Sequence, residues 1–89
     1  METRIAILGI IVEDPNSANA VHELLHDAAS YIIGRMGIPY HERKISIISV
    51  ALDAPNDVIN SLAGRLGSLP GVSARAVYAK REESFLVTR

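Results

Sequence analysis

The fold is decided by the decapeptide that joins two similar halves of the chain, Tyr31-Ile32-Ile33-Gly34-Arg35-Met36-Gly37-Ile38-Pro39-Tyr40. Before it lies a β-branched run, Ile5-Ala6-Ile7-Leu8-Gly9-Ile10-Ile11-Val12, and forty residues later Ile45-Ser46-Ile47-Ile48-Ser49-Val50-Ala51-Leu52 repeats that run. Each run has the composition of a β-strand and is followed by a proline–asparagine pair, Pro15-Asn16 and Pro55-Asn56. The repeat predicts one domain built from two related halves.

Each half continues into a segment with the spacing of an amphipathic helix. We predict the first helix from Ser17 to about Ile33, with Asp14 as its cap and Pro15 in its first turn. The apolar residues of this helix are Val21, Leu24, Leu25, Ala28 and Ile32. The apolar residues of the second helix are Val58, Ile59, Leu62 and Leu66.

Two further strands complete the pattern. We predict a short strand at about Gly34 to Ile38, with a helix C-cap at Gly34 and a bulge or close backbone approach at Gly37. The last strand, Val72 to Tyr78, follows a turn at Leu69-Pro70-Gly71. The order β-α-β-β-α-β predicts an α+β ferredoxin-like sandwich, in which two helices cover one face of a four-stranded antiparallel sheet.

We assign residues 1–79 to this domain and residues 80–89 to a C-terminal tail whose structure the sequence leaves open. The predicted strands are apolar on both faces. In the first strand, Ile5, Ile7 and Ile11 alternate with Ala6, Leu8, Ile10 and Val12. Because the two helices cover only one face, we expect a homo-oligomer, a dimer or tetramer, that forms through the apolar sheet face or the sheet edges.

Composition excludes several classes of protein. The chain is 48% hydrophobic, has a net charge of −1 and contains no cysteine, so it offers no disulfide and no thiolate metal site. The charge balance gives no attraction to nucleic acid, and the short motif Gly34-Arg35-Met36-Gly37 precedes a proline that disfavours the helix of a nucleic-acid-binding GxxG loop. We therefore expect no direct nucleic-acid binding, no membrane association, no cofactor and a cytoplasmic location.

One motif suggests metal chemistry. His22-Glu23-Leu24-Leu25-His26 would place two imidazoles on one face of the first helix, as in zinc-dependent hydrolases. The predicted helix exposes these residues to solvent, and the small fold provides no second lobe to form a substrate cleft. We expect no catalytic residues, with metal binding or metal-dependent hydrolysis at His22 and His26 as the alternative.

Small-ligand binding is predicted at the central decapeptide and the first turn. Glycines at positions 34 and 37 allow close backbone approach, and Arg35 supplies a charge. The turn before the first helix presents free backbone N–H groups. The candidate ligand-binding residues are Asp14, Asn16, Gly34, Arg35, Gly37 and Tyr40.

The chain resembles, over residues 1 to 79, the small family of proteins described as regulators of the iron-only hydrogenase system. The resemblance is carried by Arg4–Glu13, Tyr31–Tyr40, Ile45–Val50, Leu52–Ile59 and Leu69–Val72. It implies a non-enzymatic, oligomeric regulatory or ligand-sensing domain with a role in transcriptional regulation linked to that system. A purely structural assembly module remains the other alternative.

The same resemblance implies a likeness to ACT-type domains and to the C-terminal domain of nickel-responsive regulators, which oligomerise and sense small ligands. Met36, Ile38 and approximately Lys44 stand where the nickel regulators have their histidine pair and cysteine, so we expect no nickel site. Asn16 stands where ACT domains favour a glycine, which argues against a standard amino-acid site.

Overall fold

A computed structural model describes residues 2–80, and its four strands form one antiparallel sheet with two helices on one face. The strands are β1 (Arg4–Val12), β2 (Ile32–Tyr40), β3 (Ile45–Ala54) and β4 (Val72–Tyr78), and the helices are α1 (Ala18–Asp27) and α2 (Asn56–Gly67). The strand order β2-β3-β1-β4 is that of the ferredoxin-like sandwich, so the fold prediction is confirmed. Of the predicted tail, only Lys80 belongs to the described residues.

Strand β1 lies at the centre of the sheet and pairs on both sides. Leu8 is opposite Val50 of β3 and Ala76 of β4, and all three side chains point towards the helices. Because strand side chains alternate, each step of one residue moves the next side chain to the opposite face. From Ala6 to Val12, the side of β1 that faces the helices is buried, whereas Ile5, Ile7 and Ile11 on the other side are exposed.

The core fills the space between the sheet and the two helices. Its largest fully buried side chains are Leu8, Ile10, Val21, Leu25, Val50, Leu52, Ile59 and Leu66. Burying one such aliphatic side chain contributes about 1.5–3 kcal/mol, so this layer is the main source of stability. It follows from the period-two pattern of the strands and the helical stripes predicted from sequence.

The prediction that the first helix extends to about Ile33 is wrong. Helix α1 ends at Asp27, a 3₁₀ turn covers Ala29–Tyr31, and Ile32 already pairs with Leu52 in the sheet. The apolar period of the helix continues by coincidence into a strand residue that also faces the core. Ile32 is β-branched and packs against the core from β2, which fits a strand better than a helix end.

The expected helix cap at Gly34 and the expected irregularity at Gly37 are also corrected. Gly34 pairs with Ala51 inside β2, and the break in register lies between Ile32 and Gly34. A Cβ atom added at either glycine would meet no atom within 4 Å, so neither position marks a close backbone approach. Strand β2 is longer than predicted because its pairing with β3 continues to Tyr40. Pro39, which has no N–H to donate, lies opposite Ser46 in this edge strand, where proline is tolerated.

The turn after β1 packs against the turn before β4. The amide of Glu13 donates to the carbonyl of Gly71 over 2.7 Å, and the hydroxyl of Ser17, which is 5% exposed, donates to the carbonyl of Pro70 over 2.7 Å. Gly71 has a φ of 70°, a conformation that costs other residues strain. The close contact of these two turns therefore requires glycine at position 71.

We predict that Gly71→Ala destabilises the protein by about 2 kcal/mol or more, because the positive φ is strained for alanine. The new Cβ would also lie 2.6 Å from the Cβ of Asp14. The measurement is chemical denaturation at a fixed protein concentration.

The matched control is Gly64→Ala, in the middle of α2, where an added Cβ meets no atom within 4 Å. This control should stabilise the protein by roughly 0.5–1 kcal/mol, since alanine loses less backbone entropy than glycine in a helix. Equal stability of the two variants would contradict the proposed role of Gly71.

Candidate functional site

The side of the sheet opposite the helices, here called the open face, is apolar and solvent-exposed in the described chain. Its exposure is high even for large side chains, such as 60% for Met36 and 69% for Val77. The other exposed large apolar residues that strand pairing places on it are Ile5, Ile7, Ile11, Ile38, Tyr40 and Ile47. A contiguous apolar surface of this kind is a candidate interaction site, because monomeric soluble proteins rarely expose one.

Strand pairing arranges the open face in rows that run across the sheet. One row joins Ser73, Ile11, Ile47 and Ile38, and we call it the ridge. The neighbouring row joins Arg75, Gly9, Ser49 and Met36, and we call it the trough. The trough is low in the middle because Gly9 has no side chain and Ser49 has a short one.

A hollow of about 350 Å³ lies where the trough meets the ridge. Its surface is almost entirely apolar, and Arg75 is the charged residue that lines it. The sequence prediction did not include Gly9 or Arg75 among the site residues. The sequence does show an isolated glycine, Gly9, inside one strand and a charged residue, Arg75, inside another apolar strand. These two features indicate a common site only once strand pairing places them in one row.

Strand β2 divides the predicted ligand-binding residues between the two sides of the sheet. Gly34 and Tyr40 pair with Ala51 and Ile45, which lie on the open face. Arg35 and Gly37 point to the side of the helices. Tyr40 lies six positions after Gly34, which amounts to about 20 Å along an extended strand.

Arg35 connects the edge strand to the first helix. Its Nη2 atom lies 3.1 Å from Nδ1 of His22. A guanidinium can only donate, so this contact requires an unprotonated Nδ1 and places the proton of a neutral imidazole on Nε2. Both residues are exposed, so the contact orients the side chains and adds little to stability.

Asp14 forms a cap, but at the 3₁₀ turn Pro15–Ser17 and not at α1, whose N-cap residue Ser17 makes no side-chain capping hydrogen bond. The side-chain Oδ1 of Asp14 accepts a hydrogen bond of 2.9 Å from the backbone N–H of Asn16, at the start of the 3₁₀ turn Pro15–Ser17. This turn follows the last residue of β1, at the same end of the sheet as Tyr40, the last residue of β2. Gly34 lies at the opposite end, so the structure does not bring the six predicted ligand residues into one pocket.

The histidine pair lies on the exposed side of α1. His22 and His26 line a shallow groove with Asn19, Glu23 and Asp27. Across residues 2–80, no group of three or more histidine, cysteine, aspartate or glutamate side chains is arranged to hold a metal ion. Zinc sites in proteins use three or four protein ligands, so this helix alone supplies too few in the right geometry.

A second groove, also of about 350 Å³, separates the C-terminal end of α1 from α2. Its floor is formed by core side chains such as Leu24 and Leu62, and its rim carries Asp27, Asp57 and Arg65. The groove is lined by residues of both helices, and sequence periodicity contains no information on how the two helices lie against each other.

The element order, sheet topology and uncovered apolar face define an α+β module of the ferredoxin-like, ACT-like class. Residues 4–76 match the model of the TM1266-like family, described as "Iron-only hydrogenase system regulator, putative". The chain belongs to this family, which confirms the resemblance inferred from the sequence. A comparison with curated proteins finds no match.

Solved structures support the same classification. The uncharacterized protein TM1266 from Thermotoga maritima is 38% identical, with a TM-score of 0.85 over 89% of this chain and 100% of that chain. The C-terminal domain of the MgtC protein from Mycobacterium tuberculosis has a TM-score of 0.69 at 14% identity, over 89% of this chain and 90% of that chain.

A formyltetrahydrofolate deformylase from Pseudomonas putida KT2440 has a TM-score of 0.63 at 16% identity, over 86% of this chain but 29% of that chain. At these low identities, the MgtC domain and the deformylase show a shared fold only. Within residues 2–80, no helix is long and apolar enough to cross a membrane.

We predict that the protein does not retain zinc at one ion per chain after purification and dialysis, because α1 offers only two imidazoles on an exposed surface. Elemental analysis measures the metal content, with His26→Ala as the comparison variant. Stoichiometric zinc that is lost in His26→Ala would favour the alternative of a metal site at His22 and His26.

Proposed function

We propose that this chain is a non-enzymatic regulatory domain that assembles into a homo-oligomer through its open face and senses a small ligand. Membership of a family described as a regulator supports the regulatory role. The single observation that carries the assembly is the exposed apolar surface on the open face. The proposed regulated system is the iron-only hydrogenase system named in the family description.

The size of the open face is suitable for a stable interface. Four strands spaced at about 4.8 Å and nine residues long cover roughly 500 Å² in projection. Because side chains project from the sheet, the accessible area of the open face is larger than this projected area. The accessible area therefore approaches the ~800 Å² that each partner contributes in a typical specific interface. Packing of two such faces would form a sheet-on-sheet core like that of a β-sandwich.

A twofold axis fits this surface because the same residues serve both partners. The ridge, with Ile11 and Ile47 at its centre, is apolar along its whole length except for Ser73 at the β4 edge. A second copy presents the same ridge, so neither partner needs a differently shaped surface. The purely structural assembly module makes the same interface but binds no ligand, and ligand binding is the property that separates the two proposals.

Ligand sensing is proposed at the residues predicted from the sequence, in two groups. The first group lies on β2, where Gly34 and Tyr40 border the open face and Arg35 extends towards α1. The second group is the capping turn with Asp14 and Asn16. A ligand that contacts β2 at the border of the open face would couple binding to assembly, which is the coupling that a regulatory domain needs.

We predict that the wild-type protein is a dimer or tetramer at micromolar concentration and that Ile11→Glu with Ile47→Glu reduces its mass to that of the 9.6 kDa monomer. Two carboxylates buried against an apolar partner surface would cost more than the interface supplies. Light scattering coupled to size-exclusion chromatography measures the mass.

The matched control is Asn19→Glu on α1, an exposed position on the other side of the molecule, which should leave the mass unchanged. Circular dichroism shows whether each variant is folded. A wild-type mass equal to the monomer would overturn assembly through the open face.

We predict that Arg35→Ala lowers ligand occupancy at least tenfold, since a guanidinium contact to an anionic or polar ligand is worth that much or more. Native mass spectrometry of freshly purified protein reports ligand occupancy and subunit number together. Arg43→Ala, in the exposed β2–β3 turn, is the control. If Arg35→Ala changed neither the assembly nor any bound adduct, Arg35 would be withdrawn from the ligand site.

A further inference from the structure

We propose that the trough of the open face binds an apolar carboxylate, with the carboxylate on the guanidinium of Arg75 and the hydrocarbon body over Gly9. This inference rests on the proposed function in one respect, because it assigns a ligand class to the face through which the chain is proposed to assemble. It concerns Gly9 and Arg75, which the sequence did not predict as ligand-binding residues. Three observations carry it: the shape of the hollow, its apolar lining and the position of its charge.

The shape of the hollow follows from one glycine on the central strand. Gly9 lies between Arg75 of β4 and Ser49 of β3, and the ridge residues Ile11 and Ile47 form the wall beside it. A volume of about 350 Å³ is within the size range of small-molecule sites, although the hollow is open on one side. A second copy placed over the open face would close that side.

The charge beside the hollow is the guanidinium of Arg75. Arg75 is exposed and points to the same face as Gly9, with which it pairs. The acidic residues that strand alternation places on this face lie at its ends, at Asp53 of β3 and at Glu13 just after β1. Strand spacing and rise place them about 17 Å and about 14 Å from Arg75, too far for an ion pair between these residues of the described part of the chain, 2–80.

If a second copy covers the open face, the guanidinium of Arg75 therefore needs an anionic partner. A guanidinium that is removed from water without a partner costs several kcal/mol, whereas a bidentate pair with a carboxylate satisfies it. Arg75, Ser49 and Ser73 are the lining residues with polar side chains, and the surface of the hollow itself is almost entirely apolar. The site thus matches a molecule with one anionic end and an apolar body.

A carboxylate fits this lining better than a phosphate. A carboxylate has two oxygens in one plane, which matches the fork of a single guanidinium. A phosphate group carries more charge and more oxygens, and its sites use several basic groups or a row of backbone N–H groups. The strand backbone around Gly9 is already paired with β3 and β4, so it offers no free N–H groups.

The experiment uses decanoate as the probe, at concentrations below micelle formation, and titrates it into the full chain by isothermal calorimetry. Wild-type protein should show saturable binding, and Arg75→Leu and Gly9→Val should each weaken it at least tenfold. Gly9→Val fills the hollow without backbone strain, because a Cβ at Gly9 meets its nearest atom, the carbonyl oxygen of Arg75, at 3.9 Å. Arg43→Leu, away from the trough, should leave binding within twofold of wild type.

Decanol tests the role of the charge directly. It has the same apolar body and no carboxylate, so wild-type protein should bind it at least tenfold more weakly than decanoate. This preference should disappear in Arg75→Leu, whereas a site that recognised the hydrocarbon alone would show no preference in either protein. Equal binding of decanol and decanoate by wild-type protein overturns the proposal.

Light scattering on the same samples separates this inference from the proposed function. A multimer without saturable decanoate binding overturns the carboxylate site and leaves the assembly in place. A monomer whose decanoate binding depends on Arg75 and Gly9 supports the site and overturns the assembly. If Arg75→Leu and Asp53→Asn both dissociate the multimer, a carboxylate of the second copy occupies the guanidinium, and the ligand proposal fails.

Discussion

The structure depends on the alternation of side chains along the central strand β1, which is apolar on both sides. Leu8, Ile10 and their neighbours face the helices and form the core, whereas Ile7 and Ile11 face away from it. Since β1 pairs with both β3 and β4, a shift of its register by one residue would exchange these two sets and expose the core side chains. The same alternation that specifies the fold therefore also produces a second apolar surface, and this surface is where we place the function.

The two faces of the sheet differ in how completely their side chains are buried. On the helix side, the inward-facing strand residues pack into the core, and no buried side-chain nitrogen or oxygen in residues 2–80 lacks a hydrogen-bond partner. On the open face, the rows alternate between the large residues of the ridge and the small centre of the trough. Stability thus comes from one side, while the other side is free to bind a second copy or a ligand. A regulatory module benefits from this division because binding can change the assembly without disturbing the core.

Much of the fold was predictable from local patterns, and the candidate site was predictable only in part. The repeat of the Ile5–Val12 pattern at residue 45 and the helical stripes led directly to the ferredoxin-like order. The prediction failed at Ile32–Gly34, where helical periodicity continues into a strand. The first helix ends at Asp27, and from Ile32 the chain pairs with β3 instead. The partner of Ile32 lies twenty residues further along the chain, so local periodicity does not predict this pairing. For the site, the Asp14 cap was predictable because its hydrogen bond is local, and the contact between Arg35 and His22 was not.

The element types, their order and the excess of apolar strand residues over what two helices can cover are encoded locally in the chain. These properties depend on neighbouring residues, through strand and helix periods and through turn chemistry at Pro15, Pro55 and Gly71. Which side chains share a row, a groove or an end of the sheet depends instead on tertiary packing. Gly9 and Arg75 lie sixty-six residues apart in sequence and become neighbours through the antiparallel pairing of β1 with β4. Their proximity depends on strand register, which is set by the packing of the whole core.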